Sequence, residues 1–451
     1  MPLWTEPLHV LSIGAKNLKP SLEAQHIRYQ VLEWSPPSFD DPDTGDALSH
    51  LADNMDITLA NDRAMDAIRG VKPLLRRLVL AKDALAVFEL PSVVVAGPPI
   101  SFGSCIAPLQ ASIISAAVLA GYGDEETVKR ELEMGGIHLL SSDALPVATS
   151  LETVITAETV LMELVDENNT DRKLFVPLLH AEATDGIDGW AVHEETSVWV
   201  TKVLVPIFNQ VLATAKGMSC APLIRDGLQM GDDGRYCVRA MQLLFESFCT
   251  AQLMVESGLS RSMIYNVLLF VKSQPSLMRH LVLGVSKLSL EAGTGVPNCS
   301  LITSIIHNGS AWGVRVSGLD RLFVIEDHTE GGNEFLGDYP LVDLWGMGLN
   351  MIAYSSFNHH QLGNLVAPAA SLIKQSSDRS YGLHQFFKVS GNGVPLGYEL
   401  RSIVEQGNDL SFLALSSNYS RSGRSARLKA VSLSVCETVL QAFSESLSIN
   451  A

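Results

Sequence analysis

Leu90-Pro91-Ser92-Val93-Val94-Val95-Ala96-Gly97-Pro98-Pro99-Ile100 carries a short apolar strand straight into a Gly-Pro-Pro turn. A proline cannot donate to a strand ladder and glycine reaches conformations closed to other residues, so the strand must stop here and the chain must turn away from it. The sequence beyond the turn predicts a long helix beginning near Ser101 to Ser104. The free backbone N–H groups at the start of such a helix attract anions. Strand, turn and helix start are also common scaffolding, so the motif alone names no chemistry.

The segments around this unit predict an α+β chain of several domains. Leu8 to Gly14 and Ile27 to Trp34 read as strands and Leu18 to Gln25 as the helix between them, a small βαβ unit over 1–45. The acidic run Asp40 to Asp46 reads as a linker, followed by helical patterns from Ala47 through Leu80. A first mixed α/β domain over 46–196 contains Ser92–Val95, a helix opened by Gly123-Asp124-Glu125-Glu126, and the strand-like Val160 to Val165. Apolar helical faces fill a helical domain over 197–295. A C-terminal α+β domain over 296–451 completes the chain, with an antiparallel meander through Leu301 to His307, Trp312 to Ser317 and Arg321 to Glu326, then helices at Tyr339 to Ala353 and Ala430 to Leu447.

Composition narrows the function. The chain has 451 residues, 47% of them hydrophobic and 18% charged, enough apolar material for more than one core. The longest apolar run, Cys105 to Leu119, is interrupted by Pro108, Gln110, Ser112 and Ser115 and suits a buried helix better than a membrane span. The first residues show no basic stretch followed by an apolar block, so a cytoplasmic protein is expected. The net charge of −17 disfavours nucleic acid and anionic lipid as partners. Six cysteines without a C-x-x-C pair read as reduced, buried thiols, and His359-His360 has no third ligand at a familiar spacing. No metal and no cofactor is expected.

Three glycine-bearing clusters can present backbone donors or a carboxylate to a ligand, or can be ordinary turns: Met230-Gly231-Asp232-Asp233-Gly234, Asn308-Gly309 followed by Arg315, and Gly337-Asp338 followed by Trp345-Gly346-Met347-Gly348. In Gly397-Tyr398-Glu399-Leu400-Arg401, Glu399 and Arg401 share a face if the segment is a strand, giving either a structural ion pair or an anion-binding arginine.

Taken in order, these pieces resemble the AllG (YlbE-like) family, a subunit of oxamate carbamoyltransferase. The resemblance runs from the N-terminal strands through Ala96-Gly97-Pro98-Pro99, Gly121-Tyr122 and Asp166-Glu167-Asn168 to Gln229-Met230-Gly231-Asp232. It continues through Gly313-Val314-Arg315-Val316-Ser317-Gly318-Leu319, Gly346-Met347-Gly348 and Leu396 to Arg401. It implies carbamoyl transfer in nitrogen metabolism by an oligomer or with partner subunits. Such a site needs donors around a phosphate and a developing carbonyl charge. The implied assignments are Asn308, Arg315 and Asp232 as catalytic residues, and Gly97, Pro98, Pro99, Arg401, Gly346, Gly348 and Arg424 around the small anionic substrate. The chain departs from the family pattern at Ser141-Ser142-Asp143 with Ala148-Thr149-Ser150-Leu151, where a His pair and a Gly-Pro-x-Gly-Gly turn are usual. It departs again at Arg235 to Ala240 and at Asn418 to Arg427. Two functions are therefore expected: a divergent transferase acting on a small carboxylate or amide, with ligation or cyclisation as altered chemistry, or a non-catalytic binding subunit.

Overall fold

The computed structural model describes residues 9–13, 23–24, 28–32, 42–51, 54–178, 198–255, 258–274, 276–327, 334–355, 380–389, 392–407, 409–416 and 425–450. At the N-terminal end β1 (His9–Ile13) and β2 (Arg28–Leu32) pair in parallel, as a crossover connection requires, and most of the expected helix between them lies outside the described residues. The acidic stretch expected as a linker instead opens α1 (Pro42–Leu51), because Pro42 suits a first helical position and Asp43 faces the positive end of the helix. Asn54 caps α2 (Met55–Gly70) by accepting from the N–H groups of Asp56 and Ile57. The helical reading through Leu80 fails beyond Gly70, for Pro73 begins β3 (Pro73–Leu80).

The quoted strand is β4 (Ser92–Val95), buried at every position. The helix after it starts later than expected. A single 3-10 turn occupies Phe102–Ser104, and α3 (Ala107–Leu119) begins where Pro108 fits its first turn. Asp124 caps α4 (Glu125–Met134), and the chain returns as β5 (His138–Ser141), parallel to β4. Val93, Val95, Ile113, Val128 and Leu132 make the core of this layer.

Next come β6 (Val160–Asp166) and β7 (Asn169–Pro177), then α5 (Val205–Ala215), β8 (Met218–Ser219), α6 (Cys220–Gln229), α7 (Arg239–Val255), α8 (Arg261–Ser273) and α9 (Ser276–Glu291). The four-stranded sheet β7-β6-β3-β8 is antiparallel throughout. Helix α9 lies on β6 and β7, close enough that a Cβ on Gly284 would strike Leu164 and Val176.

The predicted meander is present as β9 (Leu301–His307), β10 (Ala311–Val316) and β11 (Phe323–Glu326). After β12 (Glu334–Phe335), the helix expected from Tyr339 to Ala353 is broken into α10 (Pro340–Leu344) and a 3-10 segment, Gly348–Tyr354, because Gly346 and Gly348 both take positive φ. The chain ends with β13 (Ser380–Val389), β14 (Asn392–Glu399), α11 (Leu400–Gln406), β15 (Leu410–Ser416), β16 (Ser425–Val431) and α12 (Leu433–Asn450). Five strands order as β11-β10-β9-β14-β13 and three as β12-β15-β16, the two sheets meeting at Trp312 and Phe412. The architecture is α+β and multi-domain, with one apolar cluster running from Leu51 to Phe443. Among the described residues no helix is long and apolar enough to cross a membrane.

Candidate functional site

The Gly-Pro-Pro turn docks on the hairpin between β9 and β10. Gly97 has φ +85°, and a Cβ there would lie 2.5 Å from the carbonyl carbon of His307 and 2.6 Å from the backbone nitrogen of Asn308. Asn308, fully buried, donates from Nδ2 to Pro98 O at 3.0 Å, and its Oδ1 accepts from the N–H groups of Ser310 and Ala311. The asparagine therefore ties turn to hairpin and keeps little capacity for a ligand.

Asp338 closes this junction from below. Its Oδ1 accepts from Gly97 N–H and from the Ser142 hydroxyl, both at 2.9 Å, and its Oδ2 accepts from Thr149 N–H at 2.9 Å. Ser141 donates its hydroxyl to Gly97 O at 2.6 Å. Burial pushes the Asp338 carboxyl above its ordinary value, while Lys287 and the three donors pull it back. Lys287, itself buried on α9, donates to Ser142 O at 2.8 Å and Val147 O at 2.6 Å. Beside the turn, Gly309 N–H donates to His307 Nδ1, so Nε2 carries the proton and donates to Asp327 Oδ2 at 2.9 Å. Lys429 reaches the same oxygen at 2.7 Å, and burial holds His307 below its ordinary value.

From this junction the same face of β10 leads to open space. Gly313 faces Pro98, with room of only 3.2 Å between an added Cβ and the proline Cβ, and Arg315 stands on that face two residues later. Arg315 pairs with Asp143 at 2.5 Å and is 27% exposed. It lines a cleft of about 360 Å³ together with Thr294, Gly295, Ser317, Asp320 and Arg321. The Arg321 guanidinium sits 4.4 Å from the ring centre of Phe323. Nearby Glu291 is pushed above its ordinary value by burial, against the pull of Lys287 and Arg315. Two guanidinium groups at a small cleft are suited to a carboxylate or phosphate oxygen.

The other residues expected at the substrate lie elsewhere. Asp232 accepts from Ala240 N–H at 3.1 Å and Met241 N–H at 2.7 Å, and so caps α7. Asp233 accepts from three successive N–H groups, Arg235 to Cys237, and from the Ser355 hydroxyl. Arg235 pairs with Asp343 at 2.5 Å, both buried, between the rings of Tyr236 and Tyr339. Gly346 and Gly348 serve close approach within this second cluster: a Cβ would fall 1.8 Å from Pro395 O and 2.3 Å from Asp343 Oδ1 respectively.

Arg401 marks a third place. Its Nε donates to Glu399 at 2.6 Å and its Nη1 to Leu51 O at 2.8 Å. The expected single strand is a corner, for Glu399 ends β14 and caps α11 by accepting from Ser402 N–H. Glu399 pairs with Leu301, at the opposite end of β9 from the Gly97 junction, a run of about 20 Å. Arg424 and His359-His360 lie outside the described residues. The structure thus brings Gly97 and Pro98 together with Asn308, sets Arg315 farther along β10 opposite Ser304, and holds Asp232, Gly346, Gly348 and Arg401 in other clusters. Sequence reasoning left out Ser142, Thr149, Lys287 and Arg321 as site residues. The departure from the family pattern at 141–151 was the signal, since that segment meets Gly97, Asp338 and Arg315.

Residues 137–340 match a family model described as oxamate carbamoyltransferase subunit AllG, which spans Ser142, Asn308, Arg315 and Asp338 but not Gly97 or Arg401. The chain is 22% identical over 399 residues to the uncharacterized protein YahG of Escherichia coli K12, covering 84% of each. It is 21% identical over 373 residues to oxamate carbamoyltransferase subunit AllG of the same organism, covering 78% of this chain and 88% of that protein. A crystal structure of a conserved protein of unknown function from Enterococcus faecalis V583 shares the fold, with TM-score 0.76, 20% identity, and coverage of 86% of this chain and 97% of that one. The resemblance to the AllG family is borne out, as that of a divergent relative.

Proposed function

We propose, from the likeness to the AllG family, that this chain is a subunit of a carbamoyltransferase-type assembly and holds a small anionic carboxylate or amide between Arg315 and Arg321. The observation that carries the reading is the placement of Arg315. It lies on the strand face that meets the Gly-Pro-Pro turn, at a cleft of about 360 Å³, near the lower end of the volumes that enclose small metabolites.

Carbamoyl transfer needs no nucleophile from the protein. An acceptor nitrogen forms the new C–N bond, the C–O bond to phosphate breaks with its electron pair leaving on phosphate, and the nitrogen loses its proton. What the protein supplies is alignment and positive charge for the carbonyl and phosphate oxygens. Arg315 and Arg321 are of the right type for both oxyanions. The exchange of the usual His pair for Ser141-Ser142-Asp143 supports altered acceptor chemistry, because Asp143 now engages the arginine. Assembly with partner subunits, or with a second copy, belongs to the same reading, as AllG is itself described as a subunit. A binding subunit without chemistry of its own is favoured by one observation: Asn308 and Asp232 spend their hydrogen-bonding capacity on backbone.

Thermal unfolding with oxamate, phosphate and carbamoyl phosphate tests the proposal. A ligand at about 100 times its dissociation constant is expected to stabilise the fold by about 2.7 kcal/mol. Arg315→Gln, a change at a partly exposed side chain, is expected to abolish that shift while the unliganded protein still unfolds cooperatively. No shift with any of the three, or an equal shift in the variant, contradicts the assignment. A carbamoylated acceptor formed by the bound protein separates transferase from binding subunit.

A further inference from the structure

Leu74-Leu75-Arg76-Arg77-Leu78 places two arginines in succession on β3, where a regular strand would send them to opposite faces. The register with β6 prevents that. Leu75 stands opposite Leu164 and Arg77 opposite Glu163, leaving Arg76 as the extra residue of a β-bulge. Bulges re-aim side chains, and here both arginines line one cleft of about 720 Å³.

A second backbone irregularity faces the first. Helix α5 ends at Lys216 with φ +59°, a left-handed position where glycine is the usual residue, and Gly217 comes next at φ +92° against the Leu74 side chain. Among the described residues only Lys216 and Asn298 adopt positive φ without being glycine. Lys216 lines the same cleft.

The remaining walls are fixed. Asn209 accepts from Leu78 N–H at 2.7 Å and donates to Leu78 O at 2.9 Å, taking the place of a neighbouring strand. Arg77 is held by the buried Glu163. Neither Arg76 nor Lys216 has a carboxylate partner among the described residues. Leu74, Val165 and Leu212 give an apolar side, and Glu167 is the one carboxylate on the lining.

We propose that this cleft is a second anion site, separate from the Arg315 cleft, and takes a small phosphate-bearing metabolite. The phosphoryl group meets Arg76, Lys216 and Arg77, since a doubly charged anion matches the two unpaired cations and Arg77 adds fixed donors. The rest of the molecule lies along Leu74, Val165 and Leu212, and a hydroxyl or amino group on it donates to Glu167. Phosphate alone would leave most of the volume unfilled.

Titration calorimetry of the full chain with pyrophosphate at low ionic strength, on wild type, Arg76→Ala, Lys216→Gly and Arg315→Gln, tests this. Lys216→Gly is chosen because glycine suits the left-handed position, so the variant is expected to fold at least as stably as wild type. Arg315→Gln, which removes any pyrophosphate held in the other cleft, is expected to keep one site of wild-type affinity. Arg76→Ala and Lys216→Gly are each expected to lose about tenfold or more in affinity, as for removal of one charged hydrogen bond. No binding to wild type at millimolar concentration overturns the proposal. So does unchanged affinity in Arg76→Ala and Lys216→Gly, which would leave Lys216 as a helix-end cation only. Loss confined to Arg315→Gln also overturns it and would place the anion in the other cleft.

Discussion

Gly97→Ala is expected to cost the fold about 4 kcal/mol or more, read as a lower urea midpoint at unchanged slope. Two effects add. Alanine is disfavoured at φ +85°, by about 1 kcal/mol. The larger effect is steric, because the new methyl would sit 2.5 to 2.6 Å from backbone atoms of His307 and Asn308, which cannot swing aside like the end of a side chain. Relief requires the β9–β10 hairpin to move, and that movement breaks the Asn308 bond to Pro98 and the Gly97 bond to Asp338. Any remaining folded protein is expected to lose the ligand response of the Arg315 cleft. Gly103→Ala is the control, since nothing lies within 4 Å of a Cβ there. A Gly97→Ala protein within about 1 kcal/mol of wild type would show that the junction is looser than described.

Arg235→Leu is expected to cost about 3 to 5 kcal/mol at neutral pH, because it leaves Asp343 buried without its cation. Burial already pushes Asp343 up to about 6, with Arg235 opposing, and pushes Asp233 up to about 6 against its hydrogen-bond donors. These shifts set the sign of the pH dependence. A carboxyl raised above its unfolded value of about 4 binds its proton more tightly in the folded protein. Its contribution to stability is therefore full at pH values below the unfolded value and is lost as pH rises through about 6. Removing Arg235 drives Asp343 higher still, so the deficit of the variant is expected to shrink between pH 7 and pH 5. Denaturant midpoints at both pH values measure it, and a deficit that stays constant or grows on acidification contradicts the account of the pair.

Local chemistry was legible in the sequence wherever one element decides its own shape. The Asn308-Gly309 and Gly318-Leu319-Asp320 turns between short strands marked the meander, and Asp124 before Glu125-Glu126 marked a helix start. The strand Pro73–Leu80 was missed because the bulge at Arg76 destroys the two-residue period by which a half-buried strand is recognised. The helix after the Gly-Pro-Pro turn was placed too early because Pro108, and not the serines at 101 and 104, sets its first turn. The site was legible only in part. Gly97 and Asn308 were visible as turn residues, but Asp338 takes its donors from Thr149 and Ser142, which precede it by 189 and 196 residues. No local pattern reports such pairing. Nothing in the sequence around Lys287 reports that its amine is spent on buried carbonyls. The glycines at 346 and 348 were read as ligand cradles because close approach to a backbone oxygen and close approach to a ligand demand the same residue.

The most direct test of the anion site at Arg315 is a crystal structure of the protein grown with oxamate, a molecule that is both carboxylate and amide. The account predicts oxamate in the cleft between Arg315 and Arg321, with its carboxylate about 2.7 to 2.9 Å from the Arg315 guanidinium. Oxamate bound elsewhere, with Arg315 and Asp143 still closed on each other over an empty cleft, would contradict it.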